Sequence, residues 1–206
     1  MLNIAKKYHT GDTIIEVLFA VTVFSLVVVA GLSIMNQGTA LAQRSLEVTL
    51  VRQQIDAQVD ALRFLHNSFV ETYHGDDPDS YVEGTPARVW TQIADYAVEN
   101  ASDFSAVGAT GACPSTKPTN AFIINTNSAT IANITLSTPP VYSQVRYDDA
   151  GVITSQEGMW IEAVRVAASA TTPGYYDFHV RACWYASGQA SPMTIGTIAR
   201  LYEPGS

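Results

Sequence analysis

The chain has 206 residues, 47% of them hydrophobic and only 15% charged, against a charged share of roughly 25% in an ordinary soluble domain. Its 19 acids outnumber its 11 bases for a net charge of −8, which argues against general nucleic-acid binding, since that needs a basic surface to displace counterions. The apolar and aromatic content excludes a disordered chain, and the 13 glycines and 9 prolines follow no collagen-like or coiled-coil period.

The first eleven residues hold Lys6 and Lys7 and no acid, whereas all nineteen acids lie from Asp12 onward. A basic end before an acidic body predicts a chain threaded outward through a membrane, with the lysines left inside. From Val17 to Gln43 there is no Asp, Glu, Lys or Arg. The stretch Val17 to Met35 is 19 residues long and overwhelmingly apolar, enough as a helix of roughly 28 Å to cross the hydrocarbon of a bilayer. Asp12 and Glu16 stand immediately before this run. Glu16 lies between Ile15 and Val17, where a carboxylate is costly unless a cation meets it, so it is read as a functional residue.

The stretch Gly11-Asp12-Thr13-Ile14-Ile15-Glu16-Val17-Leu18 resembles the class III signal of type IV prepilins and pseudopilins: a short basic leader ending in Gly, then Thr second, two aliphatics, Glu fifth and an apolar helix. The resemblance implies that residues 1–11 are a leader, that prepilin peptidase cuts between Gly11 and Asp12, and that the same enzyme methylates the new amine of Asp12. It makes Glu16 the assembly residue, neutralised by the N-terminal amine of a neighbouring subunit. The implied partners are other pilin subunits, prepilin peptidase and an assembly platform in the cytoplasmic membrane. The protein would be a single-pass protein of that membrane before assembly and part of an extracellular filament on the bacterial cell surface afterwards. The chain departs from the family in carrying Asp12 where Phe or Met is usual, which places a negative charge beside the amine meant for Glu16. A rival signal-peptidase pattern, Ala40-Leu41-Ala42 before Gln43, would instead release a secreted domain.

Beyond the apolar run, Leu41, Val48, Val51, Ile55, Val59, Leu62, Leu65 and Phe69 continue at helical spacing, with Arg44, Glu47, Arg52, Asp56, Asp60 and Arg63 assigned mostly to the opposite face. One helix over about 12–72 is expected, with 12–38 as the membrane or filament-core half and 39–72 as an amphipathic half belonging to a headpiece of residues 39–206. Gly31 and Gly38 are its weak points, fit either for local unwinding or for close helix packing. The segment from His74 to Gly84 is dense in acids and turn formers. Asp76, Asp77 and Asp79 are calcium candidates there, although their spacing is not that of an EF-hand and a solvated loop is the reading adopted. Thr85-Pro86 signals a helix start, with an apolar stripe running to about Asn100.

Short strands are expected at Ala121–Asn125 and Thr130–Leu136, a hairpin at Val141–Tyr147 and Val152–Thr154, and three longer strands at Met159–Ala168, Tyr175–Tyr185 and Met193–Tyr202. In the middle run Tyr176, Phe178, Val180, Ala182 and Trp184 share one face, and Asp177, His179 and Arg181 the other. The fold class is therefore α+β, pilin-like: a long N-terminal helix packed on a C-terminal antiparallel sheet over about 121–203. Cys113 and Cys183 fall in the exported part, where a pair favours a disulfide, two buried thiols being the alternative. No catalytic motif is present, and His66, His74 and His179 stand singly, so no enzyme is expected. The function expected is a structural subunit of a type IV pilus or secretion pseudopilus. The alternatives are a minor, tip-located binding subunit and an anchored extracellular domain that does not polymerise.

Overall fold

The computed structural model describes residues 14–74, 77–99, 112–132 and 142–204. Its elements are helix α1 (Ile14–Glu71), a 3-10 turn (Pro78–Ser80), helix α2 (Pro86–Ala94), and strands β1 (Ile123–Asn125), β2 (Thr130–Ala132), β3 (Gln144–Tyr147), β4 (Ile153–Glu157), β5 (Met159–Val166), β6 (Tyr175–Trp184) and β7 (Met193–Tyr202). The chain divides into two compact units, Met1–Gln43 and Arg44–Ser206. The arrangement is α+β, as the residue pattern predicts.

In the first unit α1 runs unbroken through Gly31 and Gly38, and a Cβ on either glycine would meet nothing within 4 Å. Two hydroxyls of this unit are satisfied within the helix itself: Thr22 Oγ1 donates to the Phe19 carbonyl and Ser25 Oγ to the Val21 carbonyl, each at 2.8 Å. That local bonding lets a hydroxyl sit on an apolar helix without an orphaned donor.

In the second unit Val51, Ile55, Val59, Leu62, Leu65 and Phe69 are buried in one hydrophobic core with Trp90, Phe178, Val180 and Trp184. Every 3.6-residue turn of α1 thus delivers one or two apolar groups to the seam, while β6 delivers one every second residue. Leu41, placed on the same stripe by the spacing, is instead exposed. Strands β5-β6-β7 form a three-stranded antiparallel sheet, with Phe178 opposite Ala163 on one side and Ala199 on the other. Tyr176, Phe178, Val180, Ala182 and Trp184 are all buried, and Asp177, His179 and Arg181 are half-buried, as the alternation predicts.

Three details differ from the sequence expectation. The strands over 121–203 do not make one sheet: β1-β2 and β3-β4 are separate two-stranded pairs. The β3-β4 turn is closed by Asp148 Oδ1, which accepts from the backbone N–H of Ala150 (3.0 Å) and of Val152 (2.8 Å). Helix α2, capped by Thr85 Oγ1 with Pro86 in its first turn, ends at Ala94 and not near Asn100. The reason is tertiary: Val98 leaves the helical path to bridge β5, its N–H donating to the Ala163 carbonyl and its carbonyl accepting from the Arg165 N–H, both at 2.9 Å. Finally, β5 is not half-buried. Trp160, Glu162 and Val164 are covered as fully as Met159, Ile161 and Ala163.

Candidate functional site

The first unit presents an apolar cylinder. Phe19, Phe24, Leu26 and Val29 each expose about two thirds of their surface, and α1 contains a window long and apolar enough to cross a membrane, none of it buried. Exposed apolar surface on this scale marks a contact with lipid or with other protein. Glu16 lies in the first turn of α1, between the exposed side chains of Ile15 and Val17. A carboxylate there is favoured locally by the positive end of the helix dipole. Among the described residues no hydrogen bond or ion pair reaches it. Gly11 and Asp12, the predicted cleavage pair, lie outside the described residues.

Three polar links fasten the outer part of α1 to the strands. Glu47, assigned to the solvent face by its charge, is 3% exposed, and its Oε2 accepts from the Trp184 indole N–H at 3.2 Å. The correction has a physical cause: a fully buried indole needs an acceptor, and this carboxylate supplies it. Gln58, fully buried, pairs its side-chain amide with the backbone of Ile124. Its Nε2 donates to the Ile124 carbonyl and its Oε1 accepts from the Ile124 N–H, both at 2.9 Å. Residue 124 thereby satisfies on the helix the groups it cannot satisfy on β2. His66 Nε2 lies 2.8 Å from the Tyr202 carbonyl. The one signal for Gln58 in the sequence is its position, three residues after Ile55 and four before Leu62, on the buried stripe.

Cys113 and Cys183 form a disulfide with their Cα atoms 5.6 Å apart. It closes a loop of 70 residues, a constraint on the unfolded chain of about 4 kcal/mol in the loop-entropy model. Cys183 also donates its N–H to the Gly158 carbonyl at 2.7 Å, and its carbonyl accepts from Ser143 Oγ at 3.0 Å. The disulfide, the β4–β5 corner and the end of β6 are therefore one cluster.

Of the calcium candidates, Asp76 lies outside the described residues. Asp77 caps the 3-10 turn by accepting from the Asp79 N–H at 3.0 Å, and Asp79 pairs with Arg88 at 3.2 Å. Both carboxylates thus have structural partners, and among the described residues no three His, Cys, Asp or Glu side chains converge as a metal site would require.

The same turn holds a histidine clamp. Both ring nitrogens of His74 face carbonyl oxygens, those of Thr72 and of Ser80, and the ring lies 4.5 Å from that of Tyr81. Two acceptors favour the doubly protonated ring, so the bonds to Ser80 and then Thr72 raise its pKa above the ordinary 6.5, slightly offset by desolvation. A raised folded-state pKa gives stability that is fully present below about pH 6.5 and is lost as pH rises through the higher value. An NMR titration of the His74 ring is expected to give a pKa above 6.5, and H74N should remove the matching step in stability against pH; a ring titrating at or below 6.5 would contradict the clamp. His179 shifts the other way. Burial, then the Arg181 charge, lowers its pKa, and Asp177 partly offsets them.

A buried charge that the sequence reading missed is Glu162, 1% exposed in the middle of β5. It accepts from the Trp160 indole N–H at 3.0 Å and pairs with Arg181 at 3.3 Å. Only its place inside the apolar run Met159–Val166 could have flagged it. Compared with protein-family models, with curated proteins and with solved structures, the chain matches none.

Proposed function

We propose that the chain is a structural subunit of a type IV pilus or secretion pseudopilus, cleaved after Gly11, held in a membrane by the first part of α1 and then packed through that helix into a filament. The observation that carries this reading is Glu16: a carboxylate with no partner among the described residues, at the head of the exposed apolar first part of α1. In hydrocarbon such a group costs about 2.5–3.5 kcal/mol. The N-terminal amine of a neighbouring copy, freed at Asp12, is a cation of the right charge to remove that cost and to set the axial stagger between helices. The buried links at Glu47, Gln58 and His66 fit the same reading, since a headpiece carried on a helix must be fixed to it.

The test is a mass spectrum of the N-terminal peptide from the sheared-filament and membrane fractions of cells making the wild-type chain or Glu16→Ala. Wild-type protein in filaments is expected to begin at Asp12 and to be heavier by one methyl group. Glu16→Ala is expected to be cleaved at the same bond yet to fall by about thirtyfold or more in filaments, the factor that about 2 kcal/mol per subunit addition represents. An intact Met1, a start at Gln43, or unchanged incorporation of Glu16→Ala would overturn the proposal.

A further inference from the structure

The second unit carries a cavity of about 200 Å³ where the end of α1, helix α2 and the open end of the three-stranded sheet meet. Its lining includes Phe69, Trp90 and Tyr176 on the apolar side. Trp90 and Tyr176 have their ring centroids 5.8 Å apart and nearly perpendicular. Asp95, Arg165 and Glu203 supply charge to the same lining. Polar and apolar groups are thus brought together by five separate segments of the chain.

The walls are fixed in advance of any ligand. Arg165 Nε donates to Glu203 Oε1 at 2.6 Å, and the Arg165 guanidinium lies 5.8 Å from the centroid of the Tyr176 ring. The backbone N–H of Glu203 donates to the Gly174 carbonyl at 2.8 Å. A side chain at Gly174 would overlap the Glu203 carboxylate, so the glycine leaves the room that carboxylate occupies. His66 secures the end of β7 through the Tyr202 carbonyl. A site held this way loses little entropy on binding.

Size and chemistry narrow the occupant. The volume is below the roughly 300–1,000 Å³ of sites for drug-sized ligands, so it suits one small ring. A purely apolar ring would desolvate Asp95, Arg165 and Glu203 without replacing their water, which is costly. An anion would face two carboxylates and a cation would face the guanidinium. A neutral ring with hydroxyls that both donate and accept meets all three groups, and its C–H face meets the aromatic side.

We propose that this cavity, lined by Trp90, Tyr176, Asp95, Arg165 and Glu203, binds a single neutral polyhydroxylated ring, a monosaccharide either free or at the end of a glycan. The inference concerns the headpiece alone and stands whether or not the chain polymerises. Twelve or so non-hydrogen atoms at ordinary ligand efficiency give a dissociation constant on the order of 1 mM.

The experiment is saturation-transfer NMR and calorimetric titration of the full chain in a zwitterionic detergent without sugar headgroups, using glucose, galactose, mannose and N-acetylglucosamine and their methyl glycosides. At least one sugar is expected to bind near that strength. Methyl glycosides binding as well as the free sugars would identify a glycan terminus, and free sugars alone would identify a soluble ligand. Asp95→Asn, exposed and isosteric, should weaken binding about tenfold or more, the worth of one hydrogen bond to a charged acceptor. Ala94→Phe, which fills the cavity, should abolish it, and the thermal midpoint reports whether either variant still folds. No binding by any sugar at about ten times the expected constant, binding of ethylammonium or phosphate in their place, or sugar binding indifferent to Asp95→Asn would overturn the proposal.

Discussion

Replacing Gly158 by alanine is expected to destabilise the headpiece by about 3–5 kcal/mol, a loss in the range of severe core lesions. Gly158 turns the chain from β4 into β5 with φ of +63°, and a Cβ there would penetrate the Cys183 carbonyl oxygen and come within 2.8 Å of Ser143 Oγ. Left-handed backbone alone costs a β-carbon about 1–2 kcal/mol. The remainder comes from forcing apart the corner in which the Cys183 N–H meets the Gly158 carbonyl and Ser143 Oγ bridges the carbonyls of both residues. Neither partner can yield, because Cys183 is fixed by its disulfide and by its place at the end of β6. Gly84 supplies the control, with φ of +80° and nothing within 4 Å of an added Cβ. Gly84→Ala should therefore show the conformational cost without the collision. At about 2–4 °C per kcal/mol for a unit of this size, thermal unfolding followed by circular dichroism should place Gly158→Ala roughly 6–20 °C below wild type and Gly84→Ala only about 2–8 °C below it. Equal shifts for the two variants would show that the corner opens to admit a Cβ at little cost.

Gln58→Leu should cost about 2–5 kcal/mol although leucine suits an apolar helix face. The substitution leaves the N–H and the carbonyl of Ile124, itself fully buried, with no partner, and each orphaned group costs about 1–3 kcal/mol. Gln58→Glu fares no better, since it turns a donor into a second acceptor facing the Ile124 carbonyl and buries a charge. The urea midpoint should fall for both variants, and hydrogen exchange at the Ile124 amide should quicken in Gln58→Leu more than at the neighbouring strands. A neutral Gln58→Leu would mean that β1 can re-pair without the helix, and that the link is incidental to holding α1 on the strands.

The two cases differ in how far the sequence could anticipate them. A glycine between Glu157 and Met159 announces a corner, because glycine tolerates left-handed backbone, but which carbonyl closes on it is a matter of strand β6, 25 residues away along the chain. Gln58 is the reverse. Its helical position is legible from the spacing of Ile55 and Leu62, whereas its partner, 66 residues further on, is not. Glu47 misled for the same reason. Its charge argued for solvent, and only the arrival of Trp184 makes a buried carboxylate tolerable there.

What the residues alone determine here is whatever depends on period and composition: an uncharged run with Glu16 at its head, an apolar stripe over Val51–Phe69, alternation in Tyr176–Trp184, the Thr85-Pro86 helix start, and a pair of cysteines beyond the run. All but the cysteine pair are written in single contiguous stretches of chain, so local physics suffices to read them. Tertiary structure decided the rest. It stopped α2 at Ala94 because Val98 was needed on β5, divided the strands among three sheets, covered both faces of β5, and assembled a mixed polar and aromatic cavity from five separate segments. Those features depend on contacts between separate elements of the chain, and on which buried donor finds an acceptor once the core has closed.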